Sequence, residues 1–346
     1  MKKAVFILVV ALLLVGVVVG CAAPAPSPTP TPTPKPAPTP SPAPKTEPIV
    51  LKALTFLPKT YVTSLAFQTF AERVAERTNG EIVIDYLGGP EVTPALEQPE
   101  ALVSGVVDML KIPCSYYRSL LPEANVFHLS RVGLEKEREP GGFRDYMIEV
   151  HEKANIRFLG RLGYTMPFYL YTNVKVDTPS DIAGQKLRTF PVYEAFIKKL
   201  NAVPTPMPVP EIYLAMSTGV IDGFFLGPGM TSVGLQEVTK YRLEHGFYTS
   251  TITIIVNLDK WNSIPADLQK LLQEVMYEME DEHEAFFLAE KEKEDTVMQE
   301  AGVEFIEFSP ADAKWYVDTA NEAYWELTAK SVSPEVYNKL RSLLTD

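Results

Sequence analysis

Residues 177–229 limit what this chain can fold into more than any other stretch. They read as a turn carrying Pro179 and Gly184, a short strand at 185–189, and a helix from Pro191 to Leu200. A second short strand at 202–207 and a helix from Glu211 to about Ser217 follow, and Gly219 releases the chain into a third strand at 220–225. Strands that alternate with helices imply a parallel sheet with helices on its faces. Ligands of such sheets sit beyond the carboxyl ends of the strands. Arg188 lies at one such end and Phe224 and Phe225 at another, so the stretch is expected to form one wall of a ligand cleft.

The same order occurs earlier. A strand at 49–56 precedes a helix at 64–78 with Leu65, Phe67, Phe70 and Val74 at helical spacing, stopped by Asn79-Gly80. A strand at 81–87, the Gly88-Gly89-Pro90 turn, a helix to Val103 and a strand at 106–112 complete it. Two such units predict two lobes, with the loops 57–61 and 113–117 facing the loops of the other lobe. Between them the pattern gives a helix at 142–154 and strands at 156–162, 167–174 and 251–257. The last two are candidates to cross between lobes. From Ala266 to about Ala301 the chain reads as one helix with Gly302 placed to cap it. At 1.5 Å per residue it is roughly 50 Å long, enough to touch both lobes. A strand at 303–308 and helices at 311–329 and 334–344 close the chain.

The start of the chain is of a different kind. Met1-Lys2-Lys3 followed by an uncharged run from Ala4 to Gly20 has the form of a secretory signal, residues 1–20. An uncleaved membrane anchor is the alternative, and either one puts the remainder outside the cytoplasm. Residues 21–48 carry Pro at nearly every second position and cannot bury a core. They predict an extended spacer reaching roughly 80 Å at about 3.1 Å per residue. Removing the four lysines before Thr46 leaves 28 Lys and Arg against 44 Asp and Glu, a balance of −16 for the rest. That argues against nucleic acid as a partner, because phosphate binding needs a basic face. It leaves room for a small anion held by one or two placed cations.

No catalytic or cofactor pattern stands out. There is no Gly-x-Ser-x-Gly elbow and no phosphate-cradling Gly-x-x-x-x-Gly-Lys-Ser/Thr run, and His151-Glu152 and His283-Glu284 lack the second His of a zinc helix. No cofactor and no metal is expected. Gly227-Pro228-Gly229 reads as a turn, with anion binding by its backbone N–H groups as the alternative. Arg188 is either a surface ion-pair partner or a cleft anchor. Its place between Leu187 and Phe190-Pro191 at a strand end favours the anchor. A guanidinium fork matches a carboxylate bidentately. Tyr116, Tyr117, Tyr164, Phe168, Tyr169, Tyr171, Phe190, Tyr193, Tyr213, Phe224 and Phe225 fall near the expected cleft loops. Each alone is compatible with core packing. As a set they predict an apolar pocket with few polar anchors.

Three segments carry a family resemblance. Thr178-Pro179-Ser180-Asp181-Ile182-Ala183-Gly184-Gln185-Lys186-Leu187-Arg188 resembles the Asp-Leu-x-Gly-x-Lys-Ile-Arg segment of the solute receptors of tripartite ATP-independent periplasmic (TRAP) transporters. The run from Glu211 to Gly223 resembles that family's Glu-x-Tyr-x-Ala-Leu-x-x-Gly-Val-Val-Asp-Gly, and Gly105-Val106-Val107-Asp108-Met109 its Gly-x-x-Asp-Met. The likeness runs from about residue 49 to 346. It implies an α/β, two-lobe periplasmic-binding-protein fold with crossover strands and a lobe-spanning helix. Lobe I would take residues 49–165 plus about 255–285, and lobe II 166–254 plus about 286–346.

The resemblance further implies a receptor, not an enzyme, that closes over a small organic carboxylate and hands it to TRAP membrane subunits. Arg188 would grip the carboxylate, with Phe190, Tyr193, Glu211, Tyr213, Phe224, Phe225, Tyr116, Tyr117, Tyr169 and Tyr171 as further candidate binding residues. Gly20-Cys21 resembles a bacterial lipoprotein processing site, which would make Cys21 the lipidated membrane tether. Many relatives carry a second Arg where this chain has Tyr169-Leu170-Tyr171-Thr172-Asn173, and a polar residue or Trp where it has Phe224. Both departures favour a monocarboxylate with an apolar or aromatic body. Arg161 is a candidate replacement cation. The competing readings are a receptor that feeds a signalling partner and a lipid-anchored extracytoplasmic enzyme.

Overall fold

The computed structural model describes residues 47–345 apart from 163–165, 191, 228, 250 and 251. The signal-like run, Cys21, most of the Pro-rich segment, Tyr164 and Pro191 therefore lie outside the described residues. Two mixed sheets organise the rest. The first has the order β2 (Ile82–Gly88), β1 (Ile49–Thr55), β3 (Met109–Pro113), β10 (Ile252–Asn257), β4 (Ile156–Leu162). The second has the order β11 (Glu304–Ile306), β9 (Tyr241–Thr249), β5 (Pro167–Thr172), β8 (Gly223–Leu226), β6 (Lys186–Thr189), β7 (Val203–Pro206). The helices are α1 (Val62–Arg77), α2 (Gln98–Val103), α3 (Gly133–Glu137), α4 (Phe143–Glu152), α5 (Glu194–Lys199), α6 (Ile212–Ser217), α7 (Leu258–Asn262), α8 (Ala266–Glu300), α9 (Pro310–Ser331) and α10 (Pro334–Leu344).

The two β-α-β-α-β units form the parallel parts of the sheets, β1-β2-β3 and β6-β7-β8. The chain passes between sheets three times, from β4 to β5, from β9 to β10, and from β10 through α7 and α8 to β11; the first two crossings deliver β5 and β10. In each sheet the arriving strand, β10 or β5, runs antiparallel to its neighbours. The arriving strands therefore begin at the end where the parallel strands finish, which is where a cleft forms. The sequence offered 167–174 and 251–257 as crossings between lobes; in the structure β5 pairs within the second sheet and β10 within the first. Each strand belongs to one sheet. β9 went unread because Arg242, Glu244, His245 and Gly246 break its apolar alternation. Arg242 is nonetheless buried, and Gly246 sits where a Cβ would lie 2.5 Å from Pro167.

Two strands start later than their sequence suggests, for one reason. The N–H groups of Val220 and Ile221 bond back to the carbonyl of Ala215, at 2.9 and 3.3 Å, and so finish α6. Those of Val106 and Val107 do the same toward Ala101, at 2.9 and 3.2 Å. The ladders begin only at Gly223 and Met109.

One core cluster lies between the first sheet, α1 and α8, with Phe67, Phe70, Met109 and Met276 at its centre. A second packs α6 on the second sheet through Ile212, Met216 and Phe224. The largest runs through both lobes, from Tyr117 and Phe127 to Phe196 and Phe225. The 35-residue α8 packs along α1 and β4, and farther along on the 3₁₀ turn Met230–Val233 of the second lobe, so it touches both. Gly160 on β4 allows its close approach, since a Cβ there would lie 2.5 Å from Met276. Gly302 ends it in the left-handed region, φ 85°. β10 lies wholly in the first sheet, earlier than the boundary near residue 255 expected from sequence. α10 packs on α4 and on the 3₁₀ segment Pro122–Leu129, both in the part of the chain that carries the first sheet. Among the described residues no helix is long and apolar enough to cross a membrane.

Candidate functional site

The carboxyl ends of the two sets of parallel strands enclose a cavity of about 140 Å³. Phe56 and Leu57 after β1, Pro113 at the end of β3 and Tyr116 beyond it supply one side of it. Arg188 at the end of β6, Phe190 beyond it, and Leu226 and Gly227 at the end of β8 supply the other. Met166, Phe168 and Ile252 come from the starts of the arriving strands. Tyr116 and Phe190 meet across the two lobes with ring centroids 4.9 Å apart.

Arg188 is the polar centre of this wall. It is 3% exposed. Its Nε donates to the Met207 carbonyl at 3.0 Å, and Nη1 makes a long contact of 3.5 Å with the Phe225 carbonyl. The guanidinium carbon lies 5.4 Å from the Phe190 ring centroid. Burial lowers its pKa, while neighbouring Tyr193 and Tyr116 oppose that shift. Among the described residues it has no carboxylate partner. Burial pushes Tyr116 up to about 12 and Tyr193 higher still, so both are neutral hydroxyls beside the cation.

Four of the expected binding residues thus come together on the cavity: Arg188, Phe190, Tyr193 and Tyr116. The other seven do not line it. The Tyr117 hydroxyl is held in the core between His151 at 3.2 Å and Thr253 at 3.0 Å. Tyr169 packs under Arg242, and Tyr171 stacks on Phe224 with centroids 5.0 Å apart beneath α6. Phe225 points to the opposite face and packs on Phe196 and Phe247, so its carbonyl alone takes part, through Arg188. Glu211 is exposed, and Tyr213 is 40% exposed with its hydroxyl on Glu237 at 2.9 Å. Both faces of a sheet covered by helices are core, so a residue inside such a strand is withheld from the cleft. Arg161 does not replace the missing cation. It is bound to Glu137 and to the Phe127 carbonyl, away from the cavity.

Sequence reading missed Leu226, Val209, Ser232, Val233 and Ile252 on this wall. Position was the available signal for Leu226 and Ile252, at the end of β8 and the start of β10; Val209, Ser232 and Val233 lie in 3₁₀ turns that carry no such mark. The loop after β8 holds another surprise. Gly229 N–H and Thr231 N–H donate to the Glu294 carboxylate of α8 at 2.9 and 3.0 Å. The turn does present N–H groups to an anion, and that anion is the chain's own. Burial raises the Glu294 pKa against these bonds, which lower it.

Comparison with known proteins adds independent observations. Residues 55–331 match the profile of bacterial extracellular solute-binding protein, family 7. The C4-dicarboxylate-binding periplasmic protein of Rhodobacter capsulatus is 28% identical over 284 residues, covering 78% of this chain and 84% of that protein. A monocarboxylate 2-oxoacid-binding periplasmic protein of Nostoc is 27% identical over 230 residues, 63% of either chain. The crystal structure of a TRAP periplasmic solute binding protein from Desulfovibrio salexigens, with bound orotic acid, superposes with a TM-score of 0.74 at 17% identity. It covers 86% of this chain and all of that one, and at this identity it shows the fold.

Proposed function

Because the chain belongs to the bacterial extracellular solute-binding protein family 7, we propose that it captures a small organic monocarboxylate with an apolar or aromatic body and delivers it to a TRAP membrane transporter. The observation that carries this reading is Arg188: a guanidinium buried in the cavity wall with no carboxylate partner among the described residues. A buried charge without a counter-charge is costly. A ligand carboxylate supplies that counter-charge, with charge-assisted hydrogen bonds worth about 1.5–3 kcal/mol net. Phe56, Leu57, Phe168, Phe190 and Leu226 are also part of the wall, which suits an apolar body. Cavities of about 150 Å³ hold a molecule the size of benzene, so the ligand has roughly six to twelve non-hydrogen atoms. The 2-oxo monocarboxylates of the Nostoc relative and the orotate of the Desulfovibrio structure belong to this class.

The reading includes tethering outside the cytoplasm through a lipid on Cys21, supported by the Gly20-Cys21 site and the Pro-rich segment behind it. It assigns no catalytic residue. The test is a melting-temperature screen of the full chain with orotate, 4-methyl-2-oxopentanoate, phenylpyruvate, succinate and malate. A bound acid at a hundred-fold excess over Kd stabilises the fold by about 2.7 kcal/mol. The monocarboxylates should raise the melting temperature more than succinate and malate. No shift with any acid, or a preference for the dicarboxylates, would count against the proposal. Cys21→Ala should move the protein from the membrane to the soluble fraction without changing the screen.

A further inference from the structure

Leaving histidines aside, five cationic side chains are buried among the described residues: Lys111, Arg144, Arg161, Arg188 and Arg242. Three are matched by acids. Arg144 lies 3.4 Å from Glu280, Arg161 is bound to Glu137, and Arg242 holds Glu244 at 2.6 Å and Asp295 at 2.5 Å. The two without a carboxylate among the described residues are Arg188 and Lys111. Arg188 stands in the second-lobe wall of the cavity, and Lys111 lies directly behind the first-lobe wall.

Its position follows from the register of β3. Lys111 shares a face with Pro113, because side chains two apart on a strand point the same way. Pro113 lines the cavity, and so does its partner Ile252 on β10. The Lys111 ammonium donates to the main-chain carbonyl of Thr63, a third lining residue, at the start of α1. The Thr63 hydroxyl is itself buried and makes no hydrogen bond among the described residues.

We propose that Lys111 is the second cation of the site and takes up a proton from solvent when an organic anion enters the cavity, so that capture is coupled to proton uptake. This rests on the carboxylate-receptor reading above. The empty protein holds the amine in an unfavourable place, because an ammonium out of water and without a counter-charge is disfavoured. Burial alone lowers Lys111 to about 7. An anion gripped by Arg188 adds negative charge on the far side of the Thr63 wall and favours the ammonium again.

The groups around Lys111 do not compete in this range. His283 faces it from α8 and is lowered to about 4, chiefly by burial. Beyond His283, Glu282 is paired with Arg73 of α1 at 2.8 Å. The neighbouring strands present Thr55 of β1, bonded to the Tyr86 hydroxyl, and Ile254 of β10. Burial raises Tyr86 away from neutrality.

The sign of the linkage follows. Below about pH 6 Lys111 is protonated in both states, and affinity is constant. As pH rises through about 7 the empty state loses the proton first, and affinity falls until the bound state also loses it. Between about pH 6 and about pH 9, Kd should rise by up to roughly ten-fold for each unit by which the anion raises the amine's pKa.

The experiment is calorimetric titration of the full chain with orotate and with 4-methyl-2-oxopentanoate, at pH 7.5 in Tris and in HEPES, whose ionisation enthalpies differ. A fractional proton taken up per acid bound is expected. Lys111→Met, an apolar replacement of similar volume, should still bind through Arg188 but more weakly, with no proton exchange and a Kd flat across the range. A wild-type Kd that is flat with no proton exchange, or uptake unchanged in Lys111→Met, would overturn the proposal while leaving the receptor reading intact. Failure of the whole acid panel to bind wild type removes the receptor reading, and this proposal with it. Should Lys111→Met not fold, the wild-type proton count decides alone.

Discussion

Replacing Arg188 by Met should separate binding from stability. Arg188 donates to the Met207 carbonyl at 3.0 Å, lies against the Tyr193 hydroxyl, and makes a contact of 3.5 Å to the Phe225 carbonyl, too long to count for much. Losing the first costs about 1.5–3 kcal/mol. Against that stands the desolvation penalty of a buried charge without a counter-charge, several kcal/mol per ion after relaxation. The net change in folding free energy should lie within about 2 kcal/mol of zero, or favour the variant. Arg161→Met is the control. It strands Glu137, which is 4% exposed, and breaking a buried pair from one side costs about 3–5 kcal/mol. Urea melts of the three proteins should rank wild type and Arg188→Met together, with Arg161→Met well below. Affinity for orotate or 4-methyl-2-oxopentanoate should drop in Arg188→Met by about 2–5 kcal/mol, about thirty-fold to several thousand-fold. An Arg188→Met protein as unstable as Arg161→Met, or one that binds within three-fold of wild type, would refute the reasoning.

Adjacent tyrosines should behave oppositely. Tyr116→Ala removes the ring facing Phe190 at 4.9 Å and should weaken ligand binding by about 1 kcal/mol with little change in melting temperature. Tyr117→Ala empties a core site, so it should cost about 3–5 kcal/mol of stability in a urea melt. Glu294→Ala leaves the N–H groups of Gly229 and Thr231 unpaired, at about 1–3 kcal/mol each, and hydrogen exchange should accelerate at those two amides. Burial lowers His128 to about 3 and His151 to about 4, so both are neutral in the fold and charge on unfolding. The unfolded state binds more protons between about pH 6.5 and 4. Stability should therefore fall by roughly 1.4 kcal/mol per histidine for each pH unit below about 6.5, and urea melts at pH 7 and 5 would check it.

The order of strands and helices, the two units and the long helix were legible in the sequence because each rests on local periodicity and on turn residues close in the chain. The reading faltered where the answer depended on distant partners. Val106, Val107, Val220 and Ile221 have the composition of strand residues, yet their N–H groups close the preceding helices. β9 carries charges that look like surface, yet Arg242 is buried because Glu244 of the same strand and Asp295 of α8 meet it there. Tyr171, Phe224 and Phe225 are apolar and near the cleft in sequence, but the alternation of a strand between two helical layers turns them into core.

Arg188 divides the two kinds of information most clearly. Sequence alone determined that an arginine stands at the end of a parallel strand, where ligands bind, and that the chain around it matches a receptor family. Only the tertiary structure decided which cations have counter-charges. Arg161 and Arg242 are as buried as Arg188, and nothing in their immediate sequence says that Glu137 and Asp295 will reach them. Pairing is a property of distance in space, set by the packing of elements far apart in the chain. Among the described residues that packing left Arg188, in one wall of the cavity, and Lys111, behind the other, without a carboxylate partner.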